Sequence, residues 1–116
     1  MQCYLNLGYY GGREYFSSNQ VRKFTGRDTE FSRRGLGFDL KELNTTDIPY
    51  VSSLSSDATY GHQGFTGTCL WADPVNNILF IFLSNRTYPD GKINLLHKYR
   101  YRTQIQDIIY KARMVL

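Results

Sequence analysis

A chain of 116 residues has room for one domain and one core. Its 41% apolar and 16% aromatic content, with ten tyrosines, excludes a disordered or low-complexity segment and implies many half-buried rings with wet hydroxyls. The net charge of +4 is scattered over residues such as Arg22, Lys23, Arg33, Arg34, Lys98, Arg100, Arg102, Lys111 and Arg113 with no run of five, which describes a solvated surface and gives no support for a nucleic-acid partner.

In chain order, MQCYLNLGYYGG reads as the end of a helix, with Met1 and Leu5 on one side and Gly8 where it stops. The glycine pair Gly11-Gly12 predicts a turn before Phe16. Ser17-Ser18-Asn19-Gln20 offers a capping hydroxyl with Gln20 three residues on, so a short helix is expected over 18–24, ended by Gly26. Residues 25–34 are polar and read as an exposed loop. RGLGFDL, 34–40, alternates Leu36, Phe38 and Leu40 as a strand does, while its two glycines disfavour a central position. Residues 41–60, rich in Ser, Thr and Asp, show no sustained period and form a long loop, a feature that in a compact domain is usually functional or disordered.

The apolar runs GFTGTCLWA and NNILFIFLSNR, separated by 73–77, predict a hairpin with strands over 65–72 and 78–85. Ile78 to Leu83 is apolar at six successive positions, which predicts a central strand covered on both faces. Pro89-Asp90-Gly91 turns the chain again. The tail places Ile105, Ile108, Ile109 and Ala112 at helical spacing, with Arg102, Gln106, Lys111 and Arg113 outside, so a C-terminal helix is expected to cover one face of the sheet. Lys111 and Arg113 sit where the helix dipole favours cations. The fold class is α/β (α+β): an antiparallel sheet of about three strands flanked by helices.

Taken without context, His62 in YGHQGFTGT is a lone histidine before a glycine and a hairpin, a position more often held by a polar turn residue than by a catalyst. The other histidine, His97, falls on or near the C-terminal helix, and no Cys, Asp or Glu cluster completes a ligand set, so neither metal nor cofactor is expected. Cys3 and Cys69 lie far apart and indicate neither a disulfide framework nor a zinc knuckle. No 18-residue apolar run predicts a membrane span, and the N-terminus does not read as an export signal. Asn44-Thr45-Thr46 and Asn85-Arg86-Thr87 match the glycosylation triplet, which is frequent by chance.

The order LNLGYYGGREYFSSNQVRKF, RRGLGFDL, YGHQGFTGTCLWADPVNNILFIFLSNRTYPDGK and a final helix resembles the C-terminal part of serine hydrolases related to class C β-lactamases and penicillin-binding proteins. The resemblance covers nearly the whole chain and is most specific over 60–89. That family uses an S-x-x-K bearing the nucleophile, a Y-x-N or S-x-N, and a K-T-G that some members replace with H-x-G. His62-Gln63-Gly64 matches the H-x-G form, which goes with esterase and peptidase-like members as well as β-lactam-binding ones; histidine in place of lysine weighs against a true β-lactamase.

The resemblance implies roles for five residues. His62 would be catalytic, aiming a donor or positive charge at the substrate or its proton-transfer partners, and Gln63, Gly64 and Thr66 would bind substrate, Gly64 by leaving space at the backbone. Phe65 would also be catalytic, its N–H being one of two oxyanion-hole donors; losing such a donor typically costs about 3 kcal/mol. Thr66 and Thr68 would share one face of a strand.

No serine stands three residues before any lysine: Gln20, Phe38, Pro89, Leu95 and Ile108 precede Lys23, Lys41, Lys92, Lys98 and Lys111. Tyr4-Leu5-Asn6 spells Y-x-N only by coincidence, in the helix end. The expectation is therefore that 1–116 is a single C-terminal piece of a larger hydrolase domain, inactive alone. Its partners would be a small-molecule or peptide substrate and the missing N-terminal part, whose strands complete the sheet in the family fold. A sheet edge without its partner invites a homo-oligomer. The resemblance points to the bacterial periplasm or cell envelope. The alternative is a non-catalytic binding module that keeps the cleft wall without the chemistry.

Overall fold

A computed structural model describes residues 1–28, 32–44 and 49–115. Parts of the two expected loops, 25–34 and 41–60, and most of the triplet Asn44-Thr45-Thr46 therefore lie outside the described residues.

Helix α1 (Gln2–Leu5) ends as its sequence predicts, with a refinement. The amide of Leu7 donates to the Tyr4 carbonyl and that of Gly8 to the Cys3 carbonyl, and Leu7 itself takes the left-handed conformation at φ 52°. Strands β1 (Tyr9–Tyr10) and β2 (Arg13–Glu14) pair around Gly11-Gly12, whose φ values of 59° and 77° suit a two-residue hairpin turn. Helix α2 (Ser18–Thr25) carries the full capping box: Ser17 Oγ accepts from the Gln20 amide and the Gln20 side chain accepts from the Ser17 amide.

Among the described residues the main sheet has four strands, β3 (Asp39–Leu40), β4 (Tyr60–Gln63), β5 (Cys69–Asp73) and β6 (Ile78–Phe82), antiparallel in that order. Register fixes its faces, because directly paired residues point the same way. Leu40, Tyr60, Ala72 and Leu79 line up on one face, with His62, Leu70 and Ile81 in the next row. Near α1 this face is covered, Leu40, Tyr60 and Ala72 packing with Met1, Tyr4, Leu5 and Phe38. On the opposite face, Cys69, Trp71 and Phe80 pack with Val51, Tyr50 and Phe82.

Several expectations are corrected. The 34–40 segment is a strand only at Asp39–Leu40; before that it folds back, with the Gly35 amide donating to Phe38 O and Gly37 at φ 141°, a conformation that favours glycine. The hairpin strands are shorter than 65–72 and 78–85, since 65–68 form a turn. The apolar run Ile78 to Leu83 does not make a central strand: β6 is the sheet edge among the described residues, leaving Ile81 57% and Leu83 77% exposed. Nothing described here covers its second face, so its apolar pattern exceeds what this chain buries.

A short helix α3 (Leu95–Lys98), capped by Asn94 and holding His97, precedes α4 (Tyr101–Val115). In α4 the expected inner residues face out and two of the expected outer ones, Arg102 and Gln106, face in, while Lys111 and Arg113 are exposed as expected. Arg102, Thr103, Gln106 and Tyr110 are buried, whereas Ile105, Ile108, Ile109 and Ala112 face out. The cause is the polar loop beneath: Gln106 accepts from the Ser52 amide, Asp107 from the Ser52 hydroxyl, and Thr103 donates to Pro49 O. The long loop is thus a built layer, in which Val51, Ser52, Ser55 and Thr59 are buried.

Candidate active site wall

β4 runs from a packed start to an open end. Gly61 lies opposite Trp71 and is buried against it; a Cβ there would approach Leu70 O to 2.1 Å and the Trp71 ring to 2.6 Å. Past Gln63 the chain leaves the sheet. The Gly64 amide donates to Thr68 O at 2.7 Å and the Gly67 amide donates to Gly64 O at 3.0 Å, closing a four-residue turn over 64–67. In such a turn the amide of the second residue points away from the closing hydrogen bond. That residue is Phe65, whose N–H donates to no group among the described residues.

The turn is held from two sides. From the chain following β6, the Arg86 amide and the Ser84 hydroxyl both donate to Thr66 O, at 2.9 and 3.0 Å. Thr68 Oγ1 donates to Ser84 O and accepts from the Ser84 amide. The Arg86 guanidinium lies 4.5 Å from the centre of the Phe65 ring, which is 76% exposed. From α4, buried Arg102 donates to Gly67 O at 2.9 Å. Gly67 itself has φ +90°, a conformation that favours glycine, and a Cβ there would have to displace the side chains of Leu96 and Ser84, 2.6 and 2.7 Å away.

The expected site residues divide as follows. His62 is exposed on the sheet face it shares with Leu70 and Ile81, while Gln63 is half-buried on the opposite face, lining a small cavity with His97 and Arg102. Gly64, Phe65 and Thr66 come together in the turn. Thr66 and Thr68 do not share a strand face; they face each other across the turn with hydroxyls 3.5 Å apart. A cavity of about 460 Å³ between α1, α2 and the sheet, and one of about 420 Å³ lined by residues of 41–44 and 49–57, lie elsewhere. Among the described residues, no three His, Cys, Asp or Glu side chains gather as a metal cluster, and no helix is long and apolar enough to cross a membrane.

Electrostatics near the turn follow burial. The Cys69 thiol, packed in the core, is pushed up to about 11 by burial, partly offset by the Arg102 charge, so it stays a neutral core group. Burial likewise raises Tyr60 to about 12. At the far end of β5, Asp73 is held well below the usual carboxylate range, at about 2: burial alone would raise it, but hydrogen bonds from Asn76 and Ser56 outweigh that.

Sequence reasoning missed Ser84, Arg86 and Arg102 as the supports of the turn. Arg102 could not be found from periodicity, which assigns a charged residue to the solvent side of a helix. Asp73 carried a local signal, the D-P-V-N run in which an Asp side chain accepts from backbone amides two and three residues on.

Comparison with known proteins agrees with the family resemblance. The family described as Beta-lactamase matches residues 10–101. A protein of Escherichia coli O157:H7 described as "Putative D-alanyl-D-alanine carboxypeptidase" is 41% identical over 88 residues, 76% of this chain and 20% of the relative. Proteins of the same description from Escherichia coli (strain K12) and Salmonella gallinarum are 40% identical over the same length and shares. The chain thus spans about a fifth of the length of the curated relatives it matches.

Proposed function

From a chain that belongs to the β-lactamase family, we propose that these residues supply one wall of an acylation site, the cradle for the negative charge that develops when a serine attacks an amide or ester. One observation carries this reading: the Phe65 amide, at the second position of a clamped turn, is left without an acceptor. A donor fixed in place before the reaction stabilises an oxyanion without the reorganisation that water would need. Gly64 adds support. Gly61 is required by packing and Gly67 by its positive φ, but a Cβ at Gly64 would meet only Thr68 O at 3.6 Å, an ordinary contact. This chain has no packing need for glycine there, and the free space in front of it suits a substrate approaching the backbone.

In this reading His62, exposed beside the turn, aims its imidazole at the substrate or at the group that moves the proton, and Thr66 and Gln63 line the approach. The S-x-x-K that carries the attacking serine lies outside this chain, so the chain alone does not turn over substrate. The open edge of β6 and the outward isoleucines of α4 are the surfaces on which the rest of the domain would sit, burying roughly 1.5 to 3 kcal/mol per large apolar side chain. A second copy is the competing occupant. A peptide ending in D-alanyl-D-alanine is the amide substrate drawn from the relatives' description, and the cell envelope is the matching location.

The test is labelling with a fluorescent penicillin or fluorophosphonate. A longer polypeptide joining this chain to an S-x-x-K segment should be labelled, and Gly64→Val in it should abolish labelling while the same change in the 116-residue chain leaves its melting point nearly unmoved. Absence of labelling in the longer polypeptide would favour the binding module.

A further inference from the structure

We propose that Arg102 is a positioning residue that fixes the direction of the Phe65 amide, an inference that rests on the oxyanion role proposed above. Arg102 stands in the first turn of α4, 8% exposed, and donates through Nη1 to Gly67 O at 2.9 Å. Among the described residues it has no carboxylate partner. A buried cation without an ion pair is costly, and among the described residues it serves one hydrogen bond, to the carbonyl of Gly67, the last residue of the 64–67 turn.

The reason lies in the turn's weakest link. Thr66 is held by the Arg86 amide and the Ser84 hydroxyl, and Thr68 by Ser84. Gly67, between them, has no side chain and occupies φ +90°, so its own backbone is the softest in the segment. Side-chain packing cannot stiffen it, because Leu96 and Ser84 already fill the space a Cβ would take. A donor from outside the segment is the remaining way to fix the Gly67 carbonyl, and a charged donor makes the stronger bond. That carbonyl belongs to the Gly67–Thr68 peptide, so the bond limits rotation about the Gly67 Cα and steadies the preceding Thr66–Gly67 peptide, whose N–H donates to Gly64 O, the oxygen of the peptide unit that carries the Phe65 N–H. α4 is thereby tied to the candidate site, although its apolar face looks away from it.

The experiment is ¹⁵N relaxation on the 116-residue chain and its variants, with no substrate present. In the parent chain the Phe65 and Gly67 amides should show order parameters of about 0.85, like the strands, and Arg102→Gln should bring both below about 0.6. Arg102→Lys, which keeps a cationic donor of similar reach, should restore most of the order. Gln106→Leu, equally buried on α4 but bonded to Ser52, should lower the melting point and leave the turn's order unchanged. Unchanged order at Phe65 in both Arg102 variants would overturn the proposal, as would an equal loss in Gln106→Leu. The measurement involves no acylation, so a failed labelling experiment with an ordered, Arg102-dependent turn would sink the oxyanion reading and leave this one standing.

Discussion

Gly61→Ala should abolish cooperative folding of this chain. The added methyl would lie 2.1 Å from Leu70 O and 2.8 Å from Trp71 Cα, both backbone atoms of the paired strand, and 2.6 Å from the Trp71 ring. Flexible side chains can yield at such distances, but a backbone ladder yields only by separating β4 from β5. Trp71 is 2% exposed at the centre of the cluster with Val51, Cys69 and Phe80, so displacing it also opens that core. Overpacking of this kind costs roughly 1 to 3 kcal/mol where the surroundings can relax and more where they cannot, against a total stability of about 5 to 15 kcal/mol. Thermal melts followed by tryptophan fluorescence should show no cooperative transition in Gly61→Ala; a melting point within a few degrees of the parent would show that the β4–β5 contact is looser than these distances imply.

Asp73 should give the second large effect. Among the described residues its buried carboxylate accepts six hydrogen bonds: from the Ser56 amide and hydroxyl, the Val75 and Asn76 amides, the Asn76 side chain, and the Tyr110 hydroxyl. One side chain thus ties the long loop, the β5–β6 turn and α4 together. Asp73→Ala should cost at least about 3 kcal/mol, because several buried donors lose their acceptor at once. The sign of the pH dependence follows from the lowered carboxylate. With an ordinary value of 3.8 and a folded value of about 2, the carboxylate's contribution is complete above pH 4 and is lost as pH falls through 2, amounting to about 2 kcal/mol. Chemical denaturation at pH 5, 4, 3 and 2 should show this loss in the parent and its absence in Asp73→Asn. The same slope in both would show that Asp73 is not the source of the acid loss.

What was legible in the sequence divides along the line between local and tertiary causes. The α2 capping box, the Gly11-Gly12 turn and the β5–β6 hairpin depend on neighbours in sequence, and they fold as their residues predict. The family was legible too, since it rests on contiguous runs of residues. β6 and α4 misled because their apolar residues were assumed to be satisfied within this chain. Six apolar positions in β6 ask for cover on both faces, and α4 turns its isoleucines out because Ser52, with Gln106 and Asp107, claims the inner side. Two misassigned surfaces therefore carry one message, that the buried pattern is larger than the burial available. The supports of the Phe65 turn were illegible for another reason: Arg102 and Gly67 are 35 residues apart, and no local pattern announces such a bond.

Amide hydrogen exchange at residues 64–68 tests the central claim most directly, because a cradle for negative charge needs an N–H that is held in place yet not already bonded. Gly64 and Gly67, which donate to Thr68 O and Gly64 O, should be protected, and Phe65 should exchange at least about tenfold faster than either. Protection of Phe65 equal to that of Gly64 would mean that its amide is already engaged inside the protein, and the chain would then have no free donor to offer a substrate.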